Sequence, residues 1–449
     1  MAPCSSPPMV QGLTKLEGWG RHPVVHGHER LSENLRKASH GANLSRGLGR
    51  SYGDASLPAN GDQVVGSRLA DRILGFEASS GLLHAEAGLT LRELTWIFLP
   101  RGFCSPVMPG TAYITLGGMV AADVHAKNHH VSGSCGRHVE RLRLALANGE
   151  VLWTSRDEHP DLFRATLGGM GLTGHILEVV LRLERIPSPW IQAETERIAS
   201  LDDFLRGLKE AASEWPLTMG WIDCLKRGRG MGRGILYRGR WATAEEAPGR
   251  DPRPKKRWSV PIDFPSSLLN RATMGLFNFG VFHAHMPRLR RRIFHPEDFF
   301  HPLDKIRHWN RGYGKAGFTQ YQCVLPDDEG PAATRRFLDL LTSLGAASFL
   351  CVIKDCGEEG EGLLSFPRPG TSIAVDLPMR SDTSEVVATL NRRVIEEGGR
   401  IYLAKDTFTT KEDFRAMEPR LEAFLDVRRK YDPEGALRSV QSRRIFGDS

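Results

Sequence analysis

A chain of 449 residues, 40% hydrophobic and 25% charged, has the composition of a folded protein in water and is too long for one ordinary core, so roughly two or three domains are expected. Its net charge of +7 favours anionic partners, but the basic clusters Arg253, Lys255, Lys256, Arg257 and Arg288, Arg290, Arg291, Arg292 are not interleaved with stacking aromatics, which argues against nucleic acid. Seven scattered cysteines without a CxxC pair exclude a disulfide framework and a zinc knuckle, and no apolar run approaches the roughly 18 residues that span a bilayer.

The first dozen residues, MAPCSSPPMVQG, read as a loose tail. They lack a basic start followed by an apolar core, so no secretory signal is expected. Together with reduced thiols this points to the cytoplasm, with peripheral attachment to a membrane left open. From Leu44 the run LSRGLGRSYGDASLPANG is too rich in glycine and small polar residues for a helix and must be a tight loop. Arg46 and Arg50, with the amides around Gly47, Gly49 and Gly53, offer an anion-binding nest. A plain surface turn with solvated arginines fits the same residues. LLHAEAGLTLRELTWIFLPRG then reads as a strand, a glycine break and an amphipathic helix of about ten residues from Thr90.

Pro106 to His138 is the densest stretch. It holds Gly110, Gly117, Gly118, Gly133 and Gly136, four histidines and a single carboxylate, Asp123. Glycine costs backbone entropy that an ordinary core segment would keep, so close approach of the backbone to something bulky is the reading, a cofactor cradle. Within it ITLGGMVAADV suits a short helix lying tight on a ligand. VERLRLALANGEVLW alternates around Asn148-Gly149, a hairpin signal. Gly169, Gly171 and Gly174 match GxGxxG, but a helix-like segment precedes them and a β-branched strand, HILEVVLRLERI, follows. A dinucleotide fingerprint needs the reverse order, so that reading is rejected, while contact with a flat cofactor stays open.

After Pro187 a helix, LDDFLRGLKEAASEW, and strands around TMGWIDCL and GRGILYRGRW are expected. Residues 243–265, proline-rich and charged, read as a mobile loop or lid. FTQYQCVLP alternates, placing Gln320 and Gln322 on one face and Tyr321 on the other. Helices and strands continue through AATRRFLDLLTSLG, ASFLCVIKDC, SIAVDLP and TSEVVATLNRRVIEEGG, the pattern of an α+β substrate domain. GGRIYLAKDTFTT reads as a strand ending in Lys405-Asp406, followed by two helices.

Three chemical candidates stand out. His125, His129 and His130 have the spacing of a metal pair on one helix face, but Lys127, Asn128 and the absence of a carboxylate ligand argue against metal and for hydrogen bonding. For His125 alone, a buried histidine satisfied by backbone fits equally. Lys405, at the end of IYLAK beside Tyr402, is either a desolvated acid/base or anion anchor, or a lysine snorkelling from a strand end. No Gly-x-Ser-x-Gly elbow, Walker loop or HExxH occurs.

The motifs RGLGRSYGD (46–54), PVMPGT (106–111), LGGMVAADVHAKNHHVSGSCGRHV (116–139), LFRATLGGMGLTG (162–174), FHPLDKIRHWNRGYGKAGFTQYQ (300–322), LSFPRPG (364–370) and GGRIYLAKDTFTT (398–410) closely resemble, in the same order, those of the decaprenylphosphoryl-β-D-ribose 2-oxidase family. That family belongs to the FAD-dependent vanillyl-alcohol-oxidase / p-cresol methylhydroxylase superfamily. The resemblance implies an α+β fold with a two-part FAD-binding domain (12–189 and a returning segment, 400–449) and an inserted α+β substrate domain (190–399) built on an antiparallel sheet. It implies FAD contacts at Arg46, Gly47, Gly49, Arg50, Ser51, Tyr52 and Gly53, then at Pro109, Gly110, Thr111, Thr115, Gly117, Gly118, Ala121, Ala122, His125, Asn128 and His129, and finally at Gly171, Thr173, Gly174 and Ile176. Lys405 matches the family's essential lysine, with His125 and Tyr402 as catalytic neighbours. Lys127, Trp221, Gln320, Gln322, Phe366 and Ser372 match substrate-pocket positions.

The implied reaction oxidises the 2-hydroxyl of a polyprenyl-phosphate-linked ribofuranose to a ketone. The implied partners are that lipid-linked phosphoribose, an NADH-dependent short-chain keto-reductase completing the epimerisation to arabinose, and oxygen or a quinone as electron acceptor. Peripheral contact with the inner face of the cytoplasmic membrane follows from the lipid and the basic clusters. Some superfamily members tether the flavin through a histidine in the first loop; Arg50-Ser51-Tyr52 offers none, so the FAD is expected to be noncovalent. Where mycobacterial members carry the cysteine attacked by covalent inhibitors, this chain has Ala374, so activity is expected without that sensitivity. Two rivals remain: a soluble sugar or alditol oxidase of the same superfamily, and a flavin-binding subunit without turnover.

Overall fold

The computed structural model describes residues 9–10, 13–59, 61–328, 331–345 and 348–448; the tail expected over the first dozen residues lies outside them except for residues 9–10. A small ladder comes first. In it β3 (Gln63–Gly66) runs parallel to, and between, β1 (Val24–Leu31) and β2 (Leu44–Arg46). A five-stranded antiparallel sheet follows, built from β4 (Ile73–Glu77), β5 (Leu82–Glu86), β6 (Val139–Ala145), β7 (Val151–Ser155) and β8 (His175–Arg182), in the order β7-β6-β8-β5-β4. The hairpin expected at Asn148-Gly149 joins β6 to β7, with Gly149 at φ +85°, where glycine carries no Cβ penalty.

Of the helices between β5 and β6, two shape the site. The amphipathic segment forms α1 (Leu91–Phe98), started by a capping box between Thr90 and Glu93, a device that stabilises by about 1 kcal/mol. α2 (Leu116–Ala121) starts at Thr115, whose hydroxyl accepts from Gly118 N. The order at the GxGxxG segment is as read from sequence: a helix (Pro160–Thr166), the glycines, then β8.

The third sheet has eight strands, all antiparallel to their neighbours: β9 (Ile191–Ile198), β10 (Leu217–Ile222), β11 (Gly234–Trp241), β12 (Leu289–Phe294), β13 (Phe318–Leu325), β14 (Cys351–Cys356), β15 (Gly370–Pro378) and β16 (Arg400–Ile401), ordered β12-β9-β11-β10-β14-β15-β13-β16. Period-2 alternation divides its two faces. Gly220, Tyr321, Cys323, Ile353, Ile373 and Val375 point away from the cavity; most of them join one core with residues of α3 (Leu201–Glu214), α5 (Ala332–Ser343) and α6 (Thr383–Glu396). α4 (Arg271–Ala284) lies outside that layer. Trp221, Gln320, Gln322, Val352, Lys354 and Ala374, on the other face, line a cavity. Gln320 and Gln322 therefore face opposite to Tyr321, as their alternation requires. The chain ends in α7 (Lys411–Met417), α8 (Leu421–Tyr431) and α9 (Val440–Phe446), which return to the first loop through Arg438 on Asp62 and Arg444 on Asp54.

Two expectations need correction. Residues 243–265 are docked, because their charges find partners far away in sequence. Arg21 pairs with Asp263 at 2.6 Å, Lys255 with Asp298 at 2.5 Å, and Trp258–Ser259 forms a short parallel ladder with Ile306–Arg307. The strand before Lys405 is also shorter than IYLAK. Pairing stops at Ile401 on the sheet edge, and Leu403–Lys405 form a turn whose Ala404 carbonyl accepts from Tyr52 N.

Candidate active site

A cavity of about 1030 Å³ runs between the five-stranded sheet side and the eight-stranded sheet, large enough for a cofactor and a substrate together. The first loop forms one end. Gly49 turns at φ +60°, and a Cβ there would lie 2.2 Å from Arg46 Nη2. Arg46 itself is turned away from the cavity: it donates to the Ser56 and Glu17 carbonyls at 3.0 and 2.7 Å. The anion contact expected of it falls to Arg50, which lines the cavity with its guanidinium 4.0 Å over Trp19. Gly47 has a packing reason of its own, since a Cβ would sit 2.4 Å from Thr115 Oγ1. Gly47 still borders the cavity, whereas Gly53 lies outside the lining, packed against the Asp406 carbonyl, where a Cβ would come within 2.0 Å.

The glycine-rich middle stretch divides in the same way. Gly117 borders the cavity and also packs against strand β5's continuation, its Cβ position 3.0 Å from Ala87 Cβ, whereas Gly110 and Gly171 border the cavity with nothing within 4 Å. Pro109, Thr111, Thr115, Gly118, Ala121, Ala122, Gly174 and Ile176 also line it. Thr173 does not; its hydroxyl bonds Thr166 in the core. Asn128 and His129 are also behind the wall. Asn128 Nδ2 donates to the Pro106 carbonyl at 2.7 Å, and His129 Nδ1 accepts from Gly357 N at 3.1 Å. Asp123, the stretch's lone carboxylate, is fully buried and holds the loop closed by accepting from Ser134 Oγ, Gly136 N and Ser365 Oγ.

Around the middle of the cavity stand His125, Lys127, Lys354 and Lys405. Gln322 Nε2 donates to His125 Nε2 at 2.9 Å and lies 3.2 Å from Ser372 Oγ, which leaves the imidazole proton on Nδ1. That buried Nδ1 has no hydrogen-bond partner among the described residues. Burial, then Lys354, His129 and Lys405, push the His125 pKa well below its ordinary value, so the ring is neutral at pH 7. Lys127 Nζ donates to the Phe300 carbonyl at 2.9 Å, and burial, with Lys354 nearby, lowers it to about 7. Lys405 Nζ lies 3.7 Å over the Tyr52 ring. Burial lowers it to about 7 even though Asp376 pulls upward. Asp376 is wholly buried, accepting from Gln320 Nε2 at 2.6 Å and Tyr313 OH at 2.7 Å, and burial raises it to about 6.

Three more of the residues assigned by resemblance sit differently from expectation. Tyr402 borders the cavity, but its hydroxyl donates to the Ala122 carbonyl at 2.9 Å and burial pushes its pKa up, so it cannot serve as a base. Phe366 stacks behind it at 4.9 Å, and Ser372 supports Gln322; neither lines the cavity. Trp221 does, fixed by Nε1 on the Phe349 carbonyl. Lys354 escaped the sequence reading, although a lysine in the apolar strand CVIKDC carries the signal that drew attention to Lys405. Asp304 escaped it too; it holds Thr111 Oγ1 and Ala112 N at 2.8 Å each. No group of three or more metal-ligating side chains occurs among the described residues, and His125, His129 and His130 each serve separate hydrogen bonds.

A family model described as an FAD binding domain matches residues 26–155. The chain is 35% identical, over 96% of its length and 97% of the relative's, to decaprenylphosphoryl-beta-D-ribose oxidase of Mycolicibacterium smegmatis. It is 31% identical over 80% of its length to the whole of an uncharacterized protein of Streptomyces coelicolor. A putative D-arabinono-1,4-lactone oxidase of Neurospora crassa is 26% identical over 36% of this chain and 29% of its own length.

Proposed function

The chain belongs to the family of the decaprenylphosphoryl-β-D-ribose oxidases, FAD-dependent oxidoreductases, and we propose that it oxidises the 2-hydroxyl of a polyprenyl-phosphate-linked ribofuranose to the 2-keto sugar. The supporting observation is one continuous cavity that joins the glycine-lined cradle to the cluster of Lys405, His125, Lys127 and Lys354 and then opens between apolar side chains, Trp221, Phe277 and Val281 among them. Such a cavity suits a sugar phosphate carrying a long apolar tail.

The residues present fit FAD. Arg50 and the loop 47–52 offer a cation and backbone amides to a pyrophosphate, and the Cβ-free sides of Gly110 and Gly171 leave room for a flat ring. We assign the cofactor to residues within 12–189 and 400–449, and the sugar to the face of the eight-stranded sheet within 190–399. When bound, FAD supplies a hydride acceptor at N5. Lys405, with a pKa near 7, accepts the hydroxyl proton as the C2 hydride leaves. His125 Nδ1–H donates to a sugar oxygen, Gln320 and Gln322 fix the ring, and Lys127 and Lys354 balance the phosphate charge. Tyr402 is a positioning residue, holding Ala122 against the cradle.

The FAD is held noncovalently: residues 46–54 contain neither histidine nor cysteine. Acid precipitation should leave the yellow colour in the supernatant, and a yellow pellet would refute this. The ketone must pass to a hydride-donating reductase, an NADH-dependent short-chain enzyme, to become the arabinose epimer, and electrons must pass to oxygen or a membrane quinone. No helix among the described residues is long and apolar enough to cross a membrane; we place the protein peripherally on the inner face of the cytoplasmic membrane. Anaerobic titration with polyprenyl-phosphoribose should bleach the flavin absorbance while free pentoses do not. Bleaching by free pentoses alone would favour a sugar oxidase, and none by either a non-catalytic flavoprotein.

A further inference from the structure

The exposed large apolar side chains are unevenly distributed. Among the described residues, Trp258 (81% exposed), Ile262, Phe264, Leu268, Leu276 (73%), Phe277, Phe279, Met286, Leu289 and Ile306 account for most of them, and nearly all of these fall between residues 258 and 289. α4 is the centre of this patch. Its buried stripe, Met274, Asn278 and Phe282, recurs every fourth residue and docks the helix, while Leu276 and Phe279 face outward. Arg271 and His283 are its only basic residues, and it has no acidic one. A helix apolar on its outer as well as its inner face is not suited to water.

Charge is concentrated in the same segment. Residues 252–294 contain nine lysines and arginines against a single acid, Asp263, a net +8 in a chain whose total is +7. Asp263 is itself paired with Arg21. The segment thus carries all of the molecule's net positive charge. It also surrounds the opening of the cavity: Phe277 and Val281 of α4, Arg292 and Ile293 of β12, Arg257, and across the short ladder Ile306 and Arg307 all line it. Outward apolar side chains within a basic surround are the recognition chemistry of an anionic lipid surface, where the rings and aliphatic tips enter the acyl boundary and the guanidinium groups meet the headgroups.

We infer that α4 and the Trp258/Ile306 ladder form a docking face for an anionic bilayer that seats the cavity mouth on the membrane, so that a lipid-borne substrate enters without crossing water. The face itself is argued from exposure and charge; only the passage of substrate through it rests on the proposed function. Lys255, Arg257, Arg288 and Arg291 are paired with Asp298, Glu297, Glu196 and Glu194, but Arg253, Lys256, Arg271, Arg290 and Arg292 leave the face basic; the occupant is a bilayer and not a second copy, because a symmetric self-contact would bring two basic surfaces together, which like-charge repulsion opposes.

The test is vesicle flotation of the full FAD-loaded chain. Wild type should float with vesicles of phosphatidylcholine containing phosphatidylglycerol, and much less with phosphatidylcholine alone or at high salt. Leu276→Asp/Phe279→Asp should lower the floated fraction about tenfold, and Trp258→Glu, on the other side of the mouth, should lower it independently should the double variant fold poorly. Neither substitution touches the cavity lining, so flavin bleaching by a detergent-dispersed lipid-phosphoribose should persist. Wild type that stays at the bottom of the gradient, or variants that float like it, would overturn the docking face. So would gel filtration showing a dimer that Leu276→Asp/Phe279→Asp converts to monomer. Flotation that behaves as described in a protein no lipid-phosphoribose can bleach would leave the face standing and remove the proposed substrate.

Discussion

Lys405 illustrates how a surface-type residue becomes a reactive one. Its ammonium lies against the π-face of Tyr52 and within the field of Asp376, yet burial dominates and the pKa falls to about 7. A lysine that accepts a proton must be neutral, so flavin reduction should rise as pH passes upward through about 7 and then level off. Stopped-flow reduction from pH 6 to 9 checks the sign; a rate that falls over this range would show Lys405 acting as a cation. Lys405→Ala should slow reduction about a thousandfold, the usual worth of a positioned base, while the spectrum of bound flavin stays normal. Asp376→Asn tests the electrostatic link. Removing the carboxylate removes the influence that holds the Lys405 pKa up, so the acid limb of the profile should move lower by about one pH unit. A merely structural role would lower the rate without moving the limb.

At the scale of elements, the close approach of the first loop to α2 explains why two glycine-rich stretches so far apart in sequence are both needed. Gly47 and Thr115 meet where a Cβ on one would strike the hydroxyl of the other at 2.4 Å. Gly47→Ala should therefore destabilise by about 1–3 kcal/mol and release FAD during gel filtration. Thr115→Ala, losing the cap on Gly118 N, should cost about 1 kcal/mol. Because Thr115→Ala also removes the obstructing atoms, the double variant should be more stable than the sum of the singles predicts, a coupling that thermal melts of the four proteins would measure. Much of this scale was legible in the sequence. Period-2 alternation set Gln320 and Gln322 against Tyr321, and element order disqualified the GxGxxG match. What escaped was pairing across long separations. The partners of Arg46, Tyr402 and Ser372 come from elsewhere in the fold, so residues read as ligand contacts prove to be buttresses. Residues 243–265 looked mobile because Arg21, Asp298 and Ile306–Arg307, which secure them, lie far away along the chain.

The whole molecule depends on its two ends being held together. Tyr52 N bonds the Ala404 carbonyl, Arg438 pairs with Asp62, and Arg444 reaches both Asp54 at 2.8 Å and Asp406 at 2.9 Å. Both carboxylates are buried, so their charge is tolerated only because the guanidinium lies between them. This clamp fixes the turn that carries Lys405 against the loop that carries Arg50 and Tyr52. Arg444→Met leaves two facing carboxylates without their cation, which should cost about 3–5 kcal/mol. The sign of its pH dependence follows from the same picture. Burial already pushes the Asp54 carboxyl up, and Asp406 beside it pushes the same way; with the guanidinium gone its charge costs most near neutral pH, and acidification neutralises it. The stability gap between Arg444→Met and wild type should therefore be widest at pH 8 and narrow toward pH 5, as followed by chemical denaturation at each pH. Asp54→Asn in the same background should flatten that dependence, since one neutral partner removes the repulsion at every pH. If the gap instead stayed constant, Arg444 would act through packing alone, and the charge clamp between the two ends would lose its basis.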